Sequence, residues 1–586
     1  MKSSTAPIKG HVILHRADTQ EWLCFSHPSL IVVASKPDEV LPALEKTEDL
    51  VNSQGWYAAG FISYEAGSAF DSALSTRTLD EFPMVWFGLY PGFKSCRLRK
   101  PDFDAYSMAE PVPAISHEDY DSAIERIKHY IESGDTYQVN YTIRLRASFQ
   151  GNPYHLFLAM VKAQSAGYAA WLDTGRYAIC SASPELFFRL SGNRLTCKPM
   201  KGTVHRGRTL REDKELADWL HRSEKNRAEN LMIVDMIRND LGRVAAAGSV
   251  EVAQLFEVER HQTLWQMTST ITAQCAKSFT DIVSALFPCA SITGAPKVRT
   301  TQIISELEPE PRGLYTGSIG FLAPHRTAQF NVAIRTAVLD RNTSQVEYGS
   351  GGGIVWDSSC RDEYREALLK ARVLTEQRPE FSLLETILWT RDQSYFLLDR
   401  HLQRLADSAE YFNFPASVEM IEAQLMERAR SFSSDAMRIR LLVDADGSTV
   451  IQADPLNGKH TNPPLRLALA LNPVDSADIF LYHKTTYRKV YDEARQACVG
   501  CDDVLLWNER GEITESSIAN VVVRIDGGLF TPPVDSGLLE GTYRSWMLES
   551  GMVHERVIKI SDLNRCSNIY LINSVRKMQE AVLRTP

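Results

Sequence analysis

The sequence has no run of about 18 apolar residues, the length a membrane-spanning helix needs. Its first segment, Met1 to Leu14, has no apolar stretch of signal-peptide length. With nothing to export the chain, a cytoplasmic location is expected. Basic residues are not in excess: 64 Lys and Arg stand against 73 Asp and Glu, a net charge of -9. That balance argues against nucleic acid or an acidic membrane as partners, since both demand surplus cations against phosphate. An anionic substrate would need a locally basic pocket. The ten cysteines fall in no regular framework, which suits reduced thiols. The C-x-x-C from Cys498 to Cys501 lacks the second pair of a zinc site and reads as chance. Internal repeats and low-complexity tracts are also missing.

What is present is long: 586 residues, 44% hydrophobic and 23% charged. One hydrophobic core stops growing at roughly 250–300 residues, so two or more domains are expected. Thr375 to Glu380 is polar and contains Pro379, which removes a backbone donor and disfavours helix before it. It reads as a linker (375–380) between a first domain, 1–374, and a second, 381–586. A strand-like run, Ser382 to Trp389, follows it. Ser116-x-x-Asp119 starts a helix carrying Ile124, Ile127 and Ile131, which Gly134 ends. Another helix is expected from Glu224 to Leu241, with Leu231, Val234, Ile237 and Leu241 as its buried stripe and Gly242 closing it. A third runs from Arg361 to Arg372.

Four clusters carry chemistry in the first part. Glu229 lies early in the second helix, which ends in Arg238-Asn239-Asp240. Glu363 and Glu366 are three apart and share a helical face. Such carboxylates suit magnesium, although alone they also suit a solvated acidic face. Lys198-Pro199-Met200-Lys201-Gly202-Thr203 places lysines in a tight segment, as nucleophile, carboxylate ligand or plain surface charge. Tyr348 to Val355 holds a glycine run, Gly351 to Gly353, whose backbone a ligand can approach closely. It is no dinucleotide fingerprint, because the G-x-G-x-x-G spacing fails.

Taken in order, these segments resemble the chorismate-binding family, which includes anthranilate, isochorismate and aminodeoxychorismate synthases. The resemblance runs from about Ser116 to Arg372. It also rests on Gly134 to Asn140, Ser183-Pro184-Glu185-Leu186-Phe187, Arg227 to Asp235, His261, Ile292 to Lys297 and Arg312 to Gly317. It implies an α+β domain of two packed antiparallel sheets with outer helices. It implies Glu229 and Glu366 as Mg2+ ligands, with Glu363 close by. Arg335 and Tyr315 would grip a substrate carboxylate, Thr203 and the backbone of Gly351, Gly352 and Gly353 would line the substrate, and Glu185 and His261 would move protons. Lys201 matches the lysine of aminodeoxychorismate synthases, where anthranilate synthases carry alanine. A lysine amine there implies covalent catalysis and ammonia delivery to C4 of chorismate. After Asp357-Ser358 the family usually reads Asp-Pro-Glu, whereas this chain has Ser359-Cys360-Arg361; a changed helix start is expected, with the carboxylates intact. Gly60 to Tyr64 is reminiscent of the same synthases. No cysteine has the surroundings of a glutaminase nucleophile, so ammonia or a separate glutaminase subunit is implied as partner.

The second part carries Leu384-Glu385-Thr386-Ile387, Leu398 to Leu405, Lys484 to Arg488, Glu512 to Asn520 and Gly537 to Arg544. Each alone is bland. In this order they resemble the class IV pyridoxal-phosphate (PLP) enzymes over about Phe381 to Leu583, which implies a smaller α/β domain. Lys484 would take PLP covalently and Glu515 would pair with its ring nitrogen. Arg404, Gly541 and the N–H groups of Thr542 and Tyr543 would hold its phosphate, with Asn573 and Ser574 nearby. The linker stands where that family usually has an extra strand and an aromatic-rich loop. Together the two resemblances imply 4-aminobenzoate synthesis for folate: amination of chorismate, then PLP-dependent loss of pyruvate. A homodimer through the PLP domain would be usual. Two rivals remain open: an anthranilate-type synthase fused to an aminotransferase, and a catalytically silent C-terminal module.

Overall fold

The computed structural model describes residues 9–164, 166–376, 379–456, 463–498 and 500–584. Of the expected linker, Gln377 and Arg378 lie outside the described residues, as does Val499 of the C-x-x-C. The chain forms two compact units, Met1–His205 with Ala217–Arg378, and Arg206–Leu216 with Pro379–Pro586. Arg206–Leu216 therefore packs with the later residues. Tyr411 Oη donates to Gly207 O at 2.7 Å, and Arg206 pairs with Asp213 at 2.7 Å while lying over the Tyr411 ring.

Among the described residues the first unit is built on an 11-stranded and a 10-stranded sheet, paired antiparallel. Successive side chains on a strand point to opposite faces, and here each face has its own core. On Val85–Tyr90, Trp86 and Tyr90 join a cluster with Val12, Phe25, Phe61 and Phe321, drawn from both sheets. Phe87 and Leu89 of the same strand join a cluster with Val40, Leu44, Val234 and Ile282, from helices outside the 10-stranded sheet. A third cluster packs Ile124, Ile127, Leu156, Ile303 and Ala367, from helices, against the 11-stranded sheet. The result is two face-packed sheets between outer helices.

Ser116 caps the helix His117–Glu132 by accepting from Asp119 N at 3.1 Å. The helix Glu224–Gly242 is capped by Ser223. Its buried stripe is Ile233, Val234, Ile237 and Leu241. Leu231, expected in that stripe, is instead 44% exposed. Three residues from Val234, it lies at the stripe's edge, and its place inside is taken by Asn230, which accepts from Ser269 Oγ at 2.6 Å. The helix Cys360–Ala371 begins at the altered segment, with Ser359 as an N-cap that makes no side-chain capping bond. A second correction concerns the cysteines: Cys24 and Cys96 form a disulfide, because the strands Glu21–Phe25 and Lys94–Cys96 pair and bring their Cα atoms to 6.2 Å.

Among the described residues the second unit has a 4-stranded antiparallel sheet around Leu383–Thr390 and an 8-stranded mixed sheet around Asn520–Ile525. Each has its own cluster of buried aliphatics.

Candidate active sites

In the first unit the strand Gln345–Ile354 organises the site. Its partner Thr336–Asp340 runs only to Ala337 opposite Tyr348. From Gly349 onward one edge pairs with the strand Gln138–Gly151, and among the described residues no strand pairs with the other. Glycine is required there by close approach. A Cβ on Gly349 would lie 2.1 Å from the Tyr315 ring, and one on Gly353 would lie 2.4 Å from Gln138 Nε2 and 3.1 Å from Lys201 Nζ. A Cβ on Gly352 would lie 3.1 Å from Glu363 Oε2. The glycine run thus faces a lysine, a glutamate and a tyrosine at once.

The two lysines of the 198–203 segment differ. Lys198 Nζ is ion-paired with Glu259 and lies 3.7 Å from Glu257. Lys201, on Met200–His205, is half-buried, and among the described residues its amine has no hydrogen-bond or ion-pair partner. Burial lowers its pKa, against the pull of Glu229 and Glu185. Glu185 is buried and accepts from Ser291 Oγ at 2.6 Å. Burial pushes it up to about 7, against Ser291 and Lys201. Thr203 is exposed two residues beyond Lys201.

Glu363 accepts from Ser358 Oγ at 2.7 Å, and burial, with Glu366 and Glu229 adding to it, raises its pKa. Glu366 is held low by Lys370, whose Nζ lies 2.7 Å from it and donates to Gly351 O at 2.9 Å. Arg335 stands at φ 49°, a conformation non-glycine residues rarely take; its guanidinium donates to Gln164 Oε1. His261 is lowered by burial and by Arg335. Tyr315 is buried, with Arg144 over its ring at 5.4 Å. Its loop is clamped by Arg312, which donates to Glu308, Asn140 O and Ile292 O at 2.6–3.0 Å.

In the second unit a cavity of about 300 Å³ is lined by Lys484, Glu515, Arg404, Gly541, Thr542 and Tyr543, among others. Asn573 and Ser574 also line it, and Ser574 Oγ donates to Thr386 O at 3.3 Å. Lys484 is anchored by its backbone, which accepts from Leu384 N at 2.9 Å. Its amine has no partner among the described residues. Burial, with Arg404 and Arg488 adding to it, lowers it to about 8. Across from it Glu515 accepts from Tyr491 Oη at 2.8 Å, Leu539 N at 3.1 Å and Asn520 Nδ2 at 3.2 Å. Burial raises it to about 7. Arg404 donates to both oxygens of Glu385, at 2.8 and 2.7 Å. Glu385 also bonds His401 Nδ1 at 2.6 Å, and His401 Nε2 lies 3.2 Å from Thr542 Oγ1. Thr542 opens the helix Thr542–Glu549, with Gly541 as N-cap.

Residues 99–376 match the family of chorismate binding enzymes, and residues 382–582 match amino-transferase class IV. The chain joins a chorismate-binding domain to an aminotransferase class IV domain. The chorismate-binding domain is 40% identical over 312 residues to aminodeoxychorismate synthase component 1 of Bacillus subtilis, which covers 53% of this chain and 64% of that one. It is 42% identical over 265 residues to the protein of the same name from Escherichia coli, covering 45% and 58%. The chain thus spans about two thirds or less of these relatives' own length. Anthranilate synthase component I from Streptococcus pneumoniae shares its fold, with a TM-score of 0.53 at 23% identity over 64% of this chain and 94% of that one.

The class IV domain fits PLP. It offers a half-buried lysine, a buried carboxylate, a guanidinium fixed by a carboxylate, and a cradle at Gly541, where a Cβ would lie 2.0 Å from Asn520 Oδ1. In the chorismate-binding domain the donors suit Mg2+ in kind, being carboxylates. Among the described residues, however, no three acidic, His or Cys side chains stand close enough to hold an ion. Lys370 takes a cation's place at Glu366. That residue was absent from the expected site, yet the spacing Glu363, Glu366, Lys370 puts all three on one helical face. Gln138, Glu385 and His401 lie in segments that carry the resemblances but had no role assigned, and Ser291 lies outside those segments; each meets its partner only through contacts between distant parts of the chain.

Proposed function

We propose that the chorismate-binding domain aminates chorismate at C4 to 4-amino-4-deoxychorismate, and that the class IV domain removes pyruvate from that product to give 4-aminobenzoate. The observation that carries the first step is the unpaired, pKa-lowered amine of Lys201 beside a carboxyl that titrates near neutrality. Lys201 Nζ adds to the ring, the C4–O bond breaks, and Glu185 gives the proton with which hydroxide leaves as water. Ammonia then bonds at C4 while the lysine C–N bond breaks, so that one ammonia is consumed and one water released. Arg335 and Tyr315 orient the carboxylates of chorismate. Glu229, Glu363 and Glu366 are oxygen donors of the kind Mg2+ prefers, but as they stand among the described residues they do not form a three-ligand site. The ammonia would come from a separate glutaminase subunit, as the component 1 relatives suggest.

PLP, when bound in the class IV domain, supplies an electron sink for the carbon that bears the amine. Glu515 keeps a proton at the ring nitrogen, and Arg404 with the start of the helix Thr542–Glu549 holds the phosphate. Lys484 Nζ takes the proton from C4, the C3–O bond breaks, and the departing enol is protonated to pyruvate. This reading is favoured over transamination because the first reaction's product is the second's substrate. The test is a product assay on the purified chain with chorismate, Mg2+ and ammonium, with and without PLP. Formation of 4-aminobenzoate and pyruvate, lost in Lys484→Ala, is expected. Accumulated 4-amino-4-deoxychorismate would overturn the second step, and anthranilate would overturn the role given to Lys201.

A further inference from the structure

Glu65 is a buried carboxyl of the first unit with no part in the chemistry so far. It stands in the short turn Tyr64–Ala66, outside residues 99–376 that match the chorismate-binding family. It is 1% exposed. Its Oε1 accepts from Arg312 N at 2.7 Å. Its Oε2 has no hydrogen-bond partner among the described residues. A carboxyl buried with one oxygen unsatisfied costs stability. An apolar side chain would fill the place at lower cost, but it would leave the Arg312 N–H without an acceptor.

Arg312 opens the loop 312–317, which carries Tyr315. One side of the loop is tied to Ala333: Thr316 N donates to Ala333 O at 2.9 Å, and Ala333 N donates to Gly317 O at 2.8 Å. The guanidinium of Arg312 is fixed by Glu308, but its backbone is held by the turn. Glu65 takes Arg312 N, and Tyr64 N donates to Gly313 O at 2.9 Å. The guanidinium also lies over the Tyr64 ring, 4.6 Å from its centroid. A Cβ on Gly317 would lie 2.3 Å from Ile62 O, so the end of the loop presses on the strand that leads into the turn. Within the loop Thr316 stands at φ 62°, a left-handed conformation that a β-branched residue resists. Such a residue persists only where its surroundings over-determine it. Tyr315, its neighbour, is the ring that closes on Gly349. A loop released from the turn would relax at Thr316 and carry Tyr315 away from the glycine strand.

We infer that Glu65 is a positioning residue of the chorismate site: by accepting from Arg312 N it holds the loop 312–317 in the strained form that sets Tyr315 against Gly349. This rests on the reading of Tyr315 as a contact of chorismate. Burial pushes Glu65 up to about 7, against the Arg312 bond and the charges of Arg144 and Arg312. Neutral acid and carboxylate are therefore both present near neutral pH, and either accepts from an N–H. The loop needs the acceptor and not the charge, so glutamine should serve in its place.

The test is titration calorimetry of chorismate into the full chain with Mg2+, which depends on no product. Glu65→Ala should bind at least about ten-fold more weakly, the scale of one buried hydrogen bond left unmade. Only the fraction of chains with the loop in place remains competent. Glu65→Gln should restore most of the affinity, a rescue that a role for the charge would not give. In a Tyr315→Phe background Glu65→Ala should cost nothing further, because the group it positions is gone. Unchanged affinity in Glu65→Ala overturns the inference, as does a Gln variant no better than Ala, or losses that add in the double variant. If Glu65→Ala does not fold, Glu65→Asp takes its place, since it withdraws the acceptor by one methylene, and the same outcomes decide. An unsubstituted chain that binds no chorismate discards the reading of the domain, and this inference with it. Binding that Glu65 variants leave unmoved discards the inference alone.

Discussion

At the scale of single residues, pKa direction separates function from decoration. Glu185 is raised to about 7, so it stays protonated at pH values where an ordinary carboxyl has ionised. As the acid of the first step it should fail once deprotonated. The rate of 4-amino-4-deoxychorismate formation is expected to fall as the pH rises through about 7. Glu185→Gln should lower the rate by roughly 10²–10⁴ and remove that limb; a pH profile unchanged in shape would discard the role. Glu385 goes the other way. Burial pushes its pKa up, but Arg404 and His401 outweigh burial and hold it at about 2. Its stabilising contribution is present above the ordinary value of 4.5 and is lost as the pH falls through about 2. Glu385 also ties Arg404 to Thr542 through His401, so it positions both ends of the phosphate site. Glu385→Gln would leave the half-buried Arg404 guanidinium short of an acceptor. PLP affinity should drop roughly 10–100-fold, the equivalent of about 1.5–3 kcal/mol, as measured by cofactor titration. Full affinity in the variant would show that Arg404 needs no support.

At the scale of elements, the strand Gln345–Ile354 is the frame of the first site, since Lys201, Glu363 and Tyr315 all close on its glycines. Gly353→Ala places a methyl carbon against Gln138 and the Lys201 amine. Amination of chorismate should fall at least tenfold, on the scale of a misplaced reacting group. Conversion of supplied 4-amino-4-deoxychorismate to 4-aminobenzoate should be unaffected. Loss of both activities would mean the substitution unfolds the chain. Sequence alone places this strand's glycines, but not the neighbours that make them obligatory. Gln138 lies more than two hundred residues away and reaches Gly353 only through the pairing of Asn140 with it.

At the scale of the whole molecule, the first unit divides its described buried hydrophobics among three clusters, one between the sheets and one outside each. The Cys24–Cys96 disulfide ties the edge of the 11-stranded sheet across a separation of 72 residues. A disulfide typically contributes about 2–4 kcal/mol, with long loops towards the upper end. Cys24→Ser, or reduction, should lower stability in denaturant unfolding by that amount; identical curves with and without reductant would mean the bond does not form in solution.

The sequence by itself determined a good deal: the existence of the helices at Ser116, Glu224 and Cys360, the position of the strand after Pro379, and the order of two motif sets. Capping residues, proline and 3.6-residue spacing act within a few positions, so a linear reading captures them. Leu231 shows the limit of that reading, because period alone did not say which edge of the stripe meets the core. It took the fold to show that Lys198 is ion-paired while Lys201 has no partner among the described residues, that Lys370 faces Glu366, and that Cys24 meets Cys96. The fold also placed Arg206–Leu216 with the second unit and set Glu65 against the Arg312 N–H. Those facts depend on which distant charges come to share a low-dielectric space, and Coulomb energy and desolvation follow distance in the fold and not distance along the chain.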